Sequence, residues 1–344
     1  MKRVVSVIWF VLAVGAAGFS QTDLQPAAIV RLTKSEPITV KQLRTEVELM
    51  EKQAGRTLNA AERRQVLDVM INERLAIQAA ERDKITISEN EINQQIQQLR
   101  SVLVQQLGRQ PTDAEFATAV RNETGLEVPA FREQLRRQLI VQKYLQFKKG
   151  TILNAVKTPT EAEILNTYNL AKSQFVRPES VRFSMIQIPF GTDKNKARDT
   201  ANRLVQEIGS NPAKFDEAMI KGQSPNAGYQ AGDGGYLPRN LQAQQIVGQD
   251  FMNAAFTLKQ GEVSKLIEGA RGFHIIKVTE THAQKNLELD DIFQLGSRVT
   301  VRDYIGNMLL QQQQQEVLKK ASDELIEELR RGNPFQVMEN NLNW

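Results

Sequence analysis

Before residue 165, five pairs of a Ser, Thr or Asn three residues ahead of a Glu or Gln stand where a helical pattern begins. The pairs are Thr39 and Gln42, Asn59 and Glu62, Ser88 and Glu91, Thr112 and Glu115, and Thr160 and Glu163. Such a pair satisfies two of the backbone donors that a helix leaves open at its start. Apolar residues follow at helical spacing. Val66, Leu67, Met70, Ile71 and Leu75 form one stripe, and Ile92, Ile96, Leu99 and Leu103 another. Pro129 suits the first position of a later helix carrying Phe131, Leu135, Leu139 and Tyr144. From Thr39 to about Lys149 the chain therefore reads as one helix after another. Ahead of them, Ile29-Val30-Arg31-Leu32 and Ile38 flank a turn at Lys34-Ser35, the pattern of a small strand pair.

The helical pattern returns near the other end. Val301, Tyr304, Ile305, Met308 and Leu309 begin an apolar stripe that Val317, Leu318, Leu325, Ile326 and Leu329 continue, and Gly332 and Pro334 end it. The run Gln311 to Gln315 within it reads as a solvated helix face, because glutamine is a good helix former. A helix with one apolar stripe needs a partner surface. Between the two helical regions the period changes. Pro178 marks a boundary, and Val181 to Ile188 alternates like a strand that Pro189-Phe190 ends. No internal repeat is present.

The composition, 41% hydrophobic and 24% charged, is that of a globular protein with a real core. Residues 1–20 read as a secretory signal. Lys2 and Arg3 form a basic start, Val4 to Ala17 an apolar run, and Gly18-Phe19-Ser20 a small-residue cleavage site. The run falls short of the ~20 residues that span a bilayer, so the alternative of a retained anchor is the lesser one. Net charge is +4, and losing Lys2 and Arg3 leaves about +2. That balance gives no reason to expect nucleic acid as a partner. No other segment is apolar enough for stable membrane insertion once the signal is removed. With no cysteine, disulfides and a lipidated cysteine anchor are excluded.

The central region carries four features in order. They are Gly232-Asp233-Gly234-Gly235-Tyr236, then Phe251 and Phe256 five apart ahead of Leu258, then Gly261-Glu262-Val263, then Gly272-Phe273-His274-Ile275-Ile276-Lys277-Val278. This succession resembles the second half of a parvulin-type peptidyl-prolyl isomerase domain, and the resemblance runs from Val181 to Thr281. The strand pair and long helices before it are similar to the N-terminal domain of SurA-like periplasmic chaperones. The resemblance implies an α+β protein: a multi-helix chaperone domain, completed by a returning C-terminal helix, with an inserted parvulin-type domain around a four-stranded antiparallel sheet. The expected divisions are 1–20 signal, 21–177 N-terminal helical domain, 178–282 isomerase domain and 283–344 C-terminal helix packing on the N-terminal domain.

The reaction so implied is rotation about an X–Pro peptide bond, which crosses about 18–20 kcal/mol uncatalysed. It needs no nucleophile, metal or cofactor. It needs an apolar pocket for the proline ring and polar groups that suit the twisted amide better than the planar one. By the resemblance His274 is the catalytic site-lining residue. Phe251 matches the aromatic that floors the proline pocket. Val247, four residues earlier on the same helical face, takes a position often held by Met or Leu. Phe256 matches a second aromatic, and Met185 stands where the family usually carries an inward His. The position of a further Asp or Cys falls at Pro225 or Asn226, and neither ionises. A core role is the alternative for Val247, Phe251, Phe256 and His274. His282 reads as surface. Gly232, Gly234 and Gly235 read as turn glycines and not as a phosphate loop, because no Gly-Lys-Ser/Thr follows.

The function expected is that of an exported, periplasmic folding factor. It would bind unfolded or nascent exported polypeptides, outer-membrane proteins among them, and isomerise their X–Pro segments, weakly because of Met185 and Pro225/Asn226. The alternatives are a non-catalytic holdase whose parvulin domain only docks, and a structural protein with one fixed partner.

Overall fold

The computed structural model describes residues 24–224 and 226–342, so the expected signal at 1–20 and Pro225 lie outside it. All five cap pairs form. In each, the first residue's side-chain oxygen accepts from the backbone N–H three residues on, and the Glu or Gln oxygen accepts from the first residue's own N–H. A cap of this kind is worth ~1 kcal/mol. In chain order the elements are β1 (Pro26–Val30), β2 (Glu36–Thr39), α1 (Val40–Ala54), α2 (Ala60–Arg82), α3 (Glu89–Leu107), α4 (Asp113–Thr124) and α5 (Val128–Leu153). Then come α6 (Glu161–Ala171), β3 (Val176–Arg177), β4 (Ser180–Pro189), α7 (Lys194–Ile208), α8 (Pro212–Lys221), β5 (Gln230–Pro238), α9 (Leu241–Val247) and α10 (Gln249–Thr257). Last are β6 (Ile267–Glu268), β7 (Gly272–His282), β8 (Lys285–Asn286), α11 (Val301–Arg330) and β9 (Phe335–Val337). Pro129 stands at the second position of α5, one later than its sequence suggests, and no side chain caps that helix.

Two units result. The first joins the described residues up to Val156 with those from Gln313 onward, and the second is Lys157–Gln312. In the first, the α2 stripe supplies Leu67, Ile71 and Leu75, all fully buried, and Leu325 and Leu329 of α11 pack into the same core. A three-stranded sheet in the order β2-β1-β9 completes it, with Ile29 opposite Gln336. The sequence pattern shows only β1 and β2; β9 goes unannounced because three residues are too few to display a period. Ion pairs tie the C-terminal end of the chain to the earlier helices: Arg330 to Asp68 at 2.8 Å, Lys149 to Glu328 at 2.7 Å and to Glu324 at 3.3 Å, and Arg64 to Glu339. A second cluster, with Ile92 of α3, Phe116 of α4 and Phe131 of α5, holds the α3–α4–α5 corner.

Glu46 on α1 is 2% exposed, and one of its carboxylate oxygens has no hydrogen-bond partner. Facing it are Glu73 of α2 and Arg137 of α5, which pair with each other at 3.4 Å. Desolvation, then repulsion from Glu73, pushes the carboxyl up to about 8 from 4.5, against a smaller opposing pull from Arg137. The folded state holds this proton more tightly than the unfolded state. Stability is therefore full below the ordinary carboxylate range and falls as pH rises toward about 8. Glu46→Gln is expected to leave stability at pH 4 nearly unchanged and to raise it by ~3 kcal/mol at pH 9. Denaturant midpoints at the two pH values check this, and parallel pH slopes for both proteins would contradict it.

The second unit is built on an antiparallel four-stranded sheet in the order β5-β4-β7-β6. Alternation sorts its side chains. Ile186, Ile188, Phe273 and Ile275 face α7 and α8, with Leu204 and Phe215. Val181, Phe183, Ile276 and Val278 face α9 and α10, with Phe251, Met252 and Ala255. The glycine run expected as a turn lies inside β5. Phe183 pairs with Gly235 and Ser184 with Asp233, which leaves Gly234 as the extra residue of a bulge. Only Gly235 of the three takes a positive φ, 75°. Gly234 serves close approach instead: a Cβ there would lie 2.1 Å from the Phe183 ring. Beyond β7 the helical pattern does not resume at once. β8 pairs with β3, and α11 begins only at Val301. A separate cluster of Ile164, Tyr168, Phe175, Leu287, Val301 and Ile305 packs this segment onto α6. No helix among the described residues is long and apolar enough to cross a membrane.

Candidate active site

His274 sits on β7, directly opposite Gln187 of β4 on one side and Ile267 of β6 on the other. Cross-strand partners share a face, so His274 and Gln187 point the same way as Met185 and Ile276, toward α10. The Phe251 ring of α10 meets the imidazole edge-on, with centroids 5.7 Å apart and planes at 82°. Phe251 is itself fixed from behind by Phe183, edge-on at 5.3 Å. Met185 and Val247 are half-buried and pack on the same cluster.

The structure alters one detail of the helical pattern. Val247 and Phe251 do not share a helix. Val247 ends α9, and Gly248, at φ 91°, turns the chain before α10 begins. The two side chains meet through tertiary packing. Phe256 lies five residues from Phe251, which turns it roughly 140° around the helix. Its ring is covered by the Arg239 guanidinium at 4.5 Å, and Arg239 is held by Glu179 at 3.1 Å. Asn226 is exposed in the turn before β5, and Pro225 lies outside the described residues.

Burial governs the electrostatics of the cluster. His274 is half-buried, and its Nδ1 has no hydrogen-bond partner. Burial alone pulls its pKa below 6.5, so the imidazole is neutral at neutral pH. The cluster therefore brings together the buried Phe251 ring, the Met185 thioether, the Val247 side chain and a neutral imidazole. No group of three or more His, Cys, Asp or Glu among the described residues is arranged to hold a metal.

His282, which reads as surface, belongs to a polar network at the far end of the sheet. Its Nε2 lies 3.0 Å from Glu280, which also accepts from Tyr236 at 2.9 Å and from Arg182 at 3.0 Å. These bonds, that to His282 first, hold the Glu280 carboxyl below its ordinary range. Gln187 escapes detection in the sequence. Its signal is only the two-residue step from Met185 along one strand, and the step acquires meaning once the register sets it against His274.

Residues 159–293 match the family model described as a PPIC-type PPIASE domain, and residues 1–145 that of a SurA-like N-terminal domain. Chaperone SurA of Saccharophagus degradans is 25% identical over 292 residues, covering 82% of this chain and 64% of that protein. Chaperone SurA of Chromohalobacter salexigens is 28% identical over 298 residues, covering 82% and 63%. The chain thus spans less than two thirds of the length of these two relatives. Foldase protein PrsA of Staphylococcus aureus is 25% identical over 278 residues, covering 80% of this chain and 74% of that one. A solved structure from Campylobacter jejuni, described among SurA-like chaperones, is 14% identical with a TM-score of 0.41, covering 91% of this chain and 100% of its own.

Proposed function

We propose that this chain, which joins a SurA-like N-terminal domain to a PPIC-type PPIase domain, is an exported folding factor that binds unfolded polypeptides and isomerises their X–Pro bonds. One observation carries the catalytic half: the edge contact between Phe251 and a neutral, half-buried His274 on the sheet face toward α10. Phe251 forms the floor for the proline ring, Met185 and Val247 form its walls, and Phe256 lies at the margin under Arg239. We assign this activity to residues 178–282 within the second unit. The site holds no ionisable partner for His274 at Met185 or Asn226, which fits a modest rate.

The holding half is assigned to the N-terminal unit. A cavity of about 270 Å³ opens there between α2, α5 and α11, walled by Ala76, Val141, Leu145, Leu325 and Ile326. Val102 and Leu107 of α3 and Phe147 of α5 add exposed apolar surface of the kind that extended clients cover. The signal pattern at 1–20 supports the periplasm as its place of work.

Catalysis is tested by exchange NMR on X–Pro peptides, with no coupled protease. His274→Ala is expected to lower kcat/KM about 10-fold. Phe251→Leu keeps the core filled and is expected to weaken peptide affinity several-fold. Peptide binding without any rate above the uncatalysed reaction would instead make the domain a docking module.

A further inference from the structure

We infer that Gln187 is the polar group of this site that touches the rotating amide, donating from its carboxamide to the prolyl nitrogen as the X–Pro bond twists. The inference rests on the isomerase function proposed above. Four observations place Gln187 there. It pairs directly with His274 across β4 and β7 and shares its face. It is half-buried, so it borders the site without being sealed inside the core. Its other neighbour in the register is Gln230 of β5, so a polar row Gln230, Gln187, His274 crosses the sheet beside the apolar wall. One step along the same face, Met185 is opposite Gly232, where even an added Cβ would meet nothing within 4 Å, so open space adjoins the row.

The chemistry explains why a carboxamide suits the position. In the planar amide the nitrogen lone pair is delocalised into the carbonyl, and the oxygen is the better acceptor. Rotation ends that overlap. The nitrogen becomes pyramidal and basic, while the oxygen loses negative character. A donor aimed at the nitrogen therefore binds the twisted state more strongly than the planar one, which is the condition for acceleration. Among the described residues Gln187 makes no side-chain hydrogen bond, so its NH2 is not committed elsewhere. His274 alone offers one ring N–H, and Met185 offers no donor.

Two variants of the full chain test the assignment. Gln187→Leu keeps the volume and removes the donor. It is expected to keep the melting temperature and X–Pro peptide affinity within about twofold of wild type, and to slow catalysed exchange about 10-fold. Gln187→Glu places a carboxylate across from His274 and is expected to raise the midpoint of the imidazole titration followed by NMR. Equal catalysis by wild type and Gln187→Leu overturns the role of Gln187 and leaves the isomerase function standing. An unmoved His274 midpoint in Gln187→Glu overturns the side-chain proximity on which it rests. A wild type that binds X–Pro peptide without accelerating exchange overturns the isomerase function and this inference with it.

Discussion

Ending the chain at Gln312 is expected to abolish cooperative unfolding of the N-terminal unit while leaving Lys157–Gln312 folded. The cut removes Leu325 and Leu329, which are 4% and 7% exposed, from the core they share with α2, together with the fully buried Ala321. Each leucine contributes ~2 kcal/mol through burial. The cut also removes β9 from the edge of β1 and the Arg330 pair with Asp68. Lys149, with a side chain 10% exposed, loses both Glu324 and Glu328. Leaving a nearly buried cation without partners is strongly unfavourable. Together these losses rival the whole stability of a typical domain, about 5–15 kcal/mol. Calorimetry of the shortened chain should show one cooperative transition in place of those of two units, with dye binding to exposed apolar surface. A retained transition for the residues up to Val156 would refute this account.

Gly234→Ala is expected to destabilise the second unit by about 3 kcal/mol, lowering its melting temperature by roughly 10 °C. The new methyl would lie 2.1 to 2.7 Å from three atoms of the Phe183 ring. A flexible side chain at a surface would swing aside. Phe183 is 5% exposed and is backed by Phe251 at 5.3 Å, so it cannot move without shifting the site floor. Adding Phe183→Leu to Gly234→Ala should recover part of the loss, because a smaller side chain makes room for the methyl. Thermal melts of the two variants decide it. No recovery in the double variant would mean that the strain lies in the backbone of the bulge.

Helix starts were the most legible part of the sequence, because a cap pair is a local code: two residues three apart answer to one geometry. All five formed as read. The α+β class and the four-stranded sheet followed from the resemblance between Val181 and Thr281. The site was legible residue by residue but not as a surface. His274 and Phe251 were visible singly, and their edge contact depends on how α10 lies across β7. Val247 was placed on Phe251's helix because four residues is one turn, and a single glycine at 248 cancels that inference. Gly232 to Tyr236 looks like a turn because glycines cluster in turns. The bulge that uses them is defined by the partner strand, which no local window contains. Gln187 stayed hidden for the same reason, since register across two bulged pairings cannot be counted from one strand alone.

The pairing of β9 with β1 sets an order in time. A polypeptide leaves the ribosome or an export channel with its amino end first. The first strand is therefore made long before its partner, and the intervening unit has all its residues free to close while β1 still shows a bare edge. Such an edge is a template for stray pairing. The late strand β9 thus closes the edge that β1 opens, and a chain clipped or stalled short of Phe335 retains that open seam.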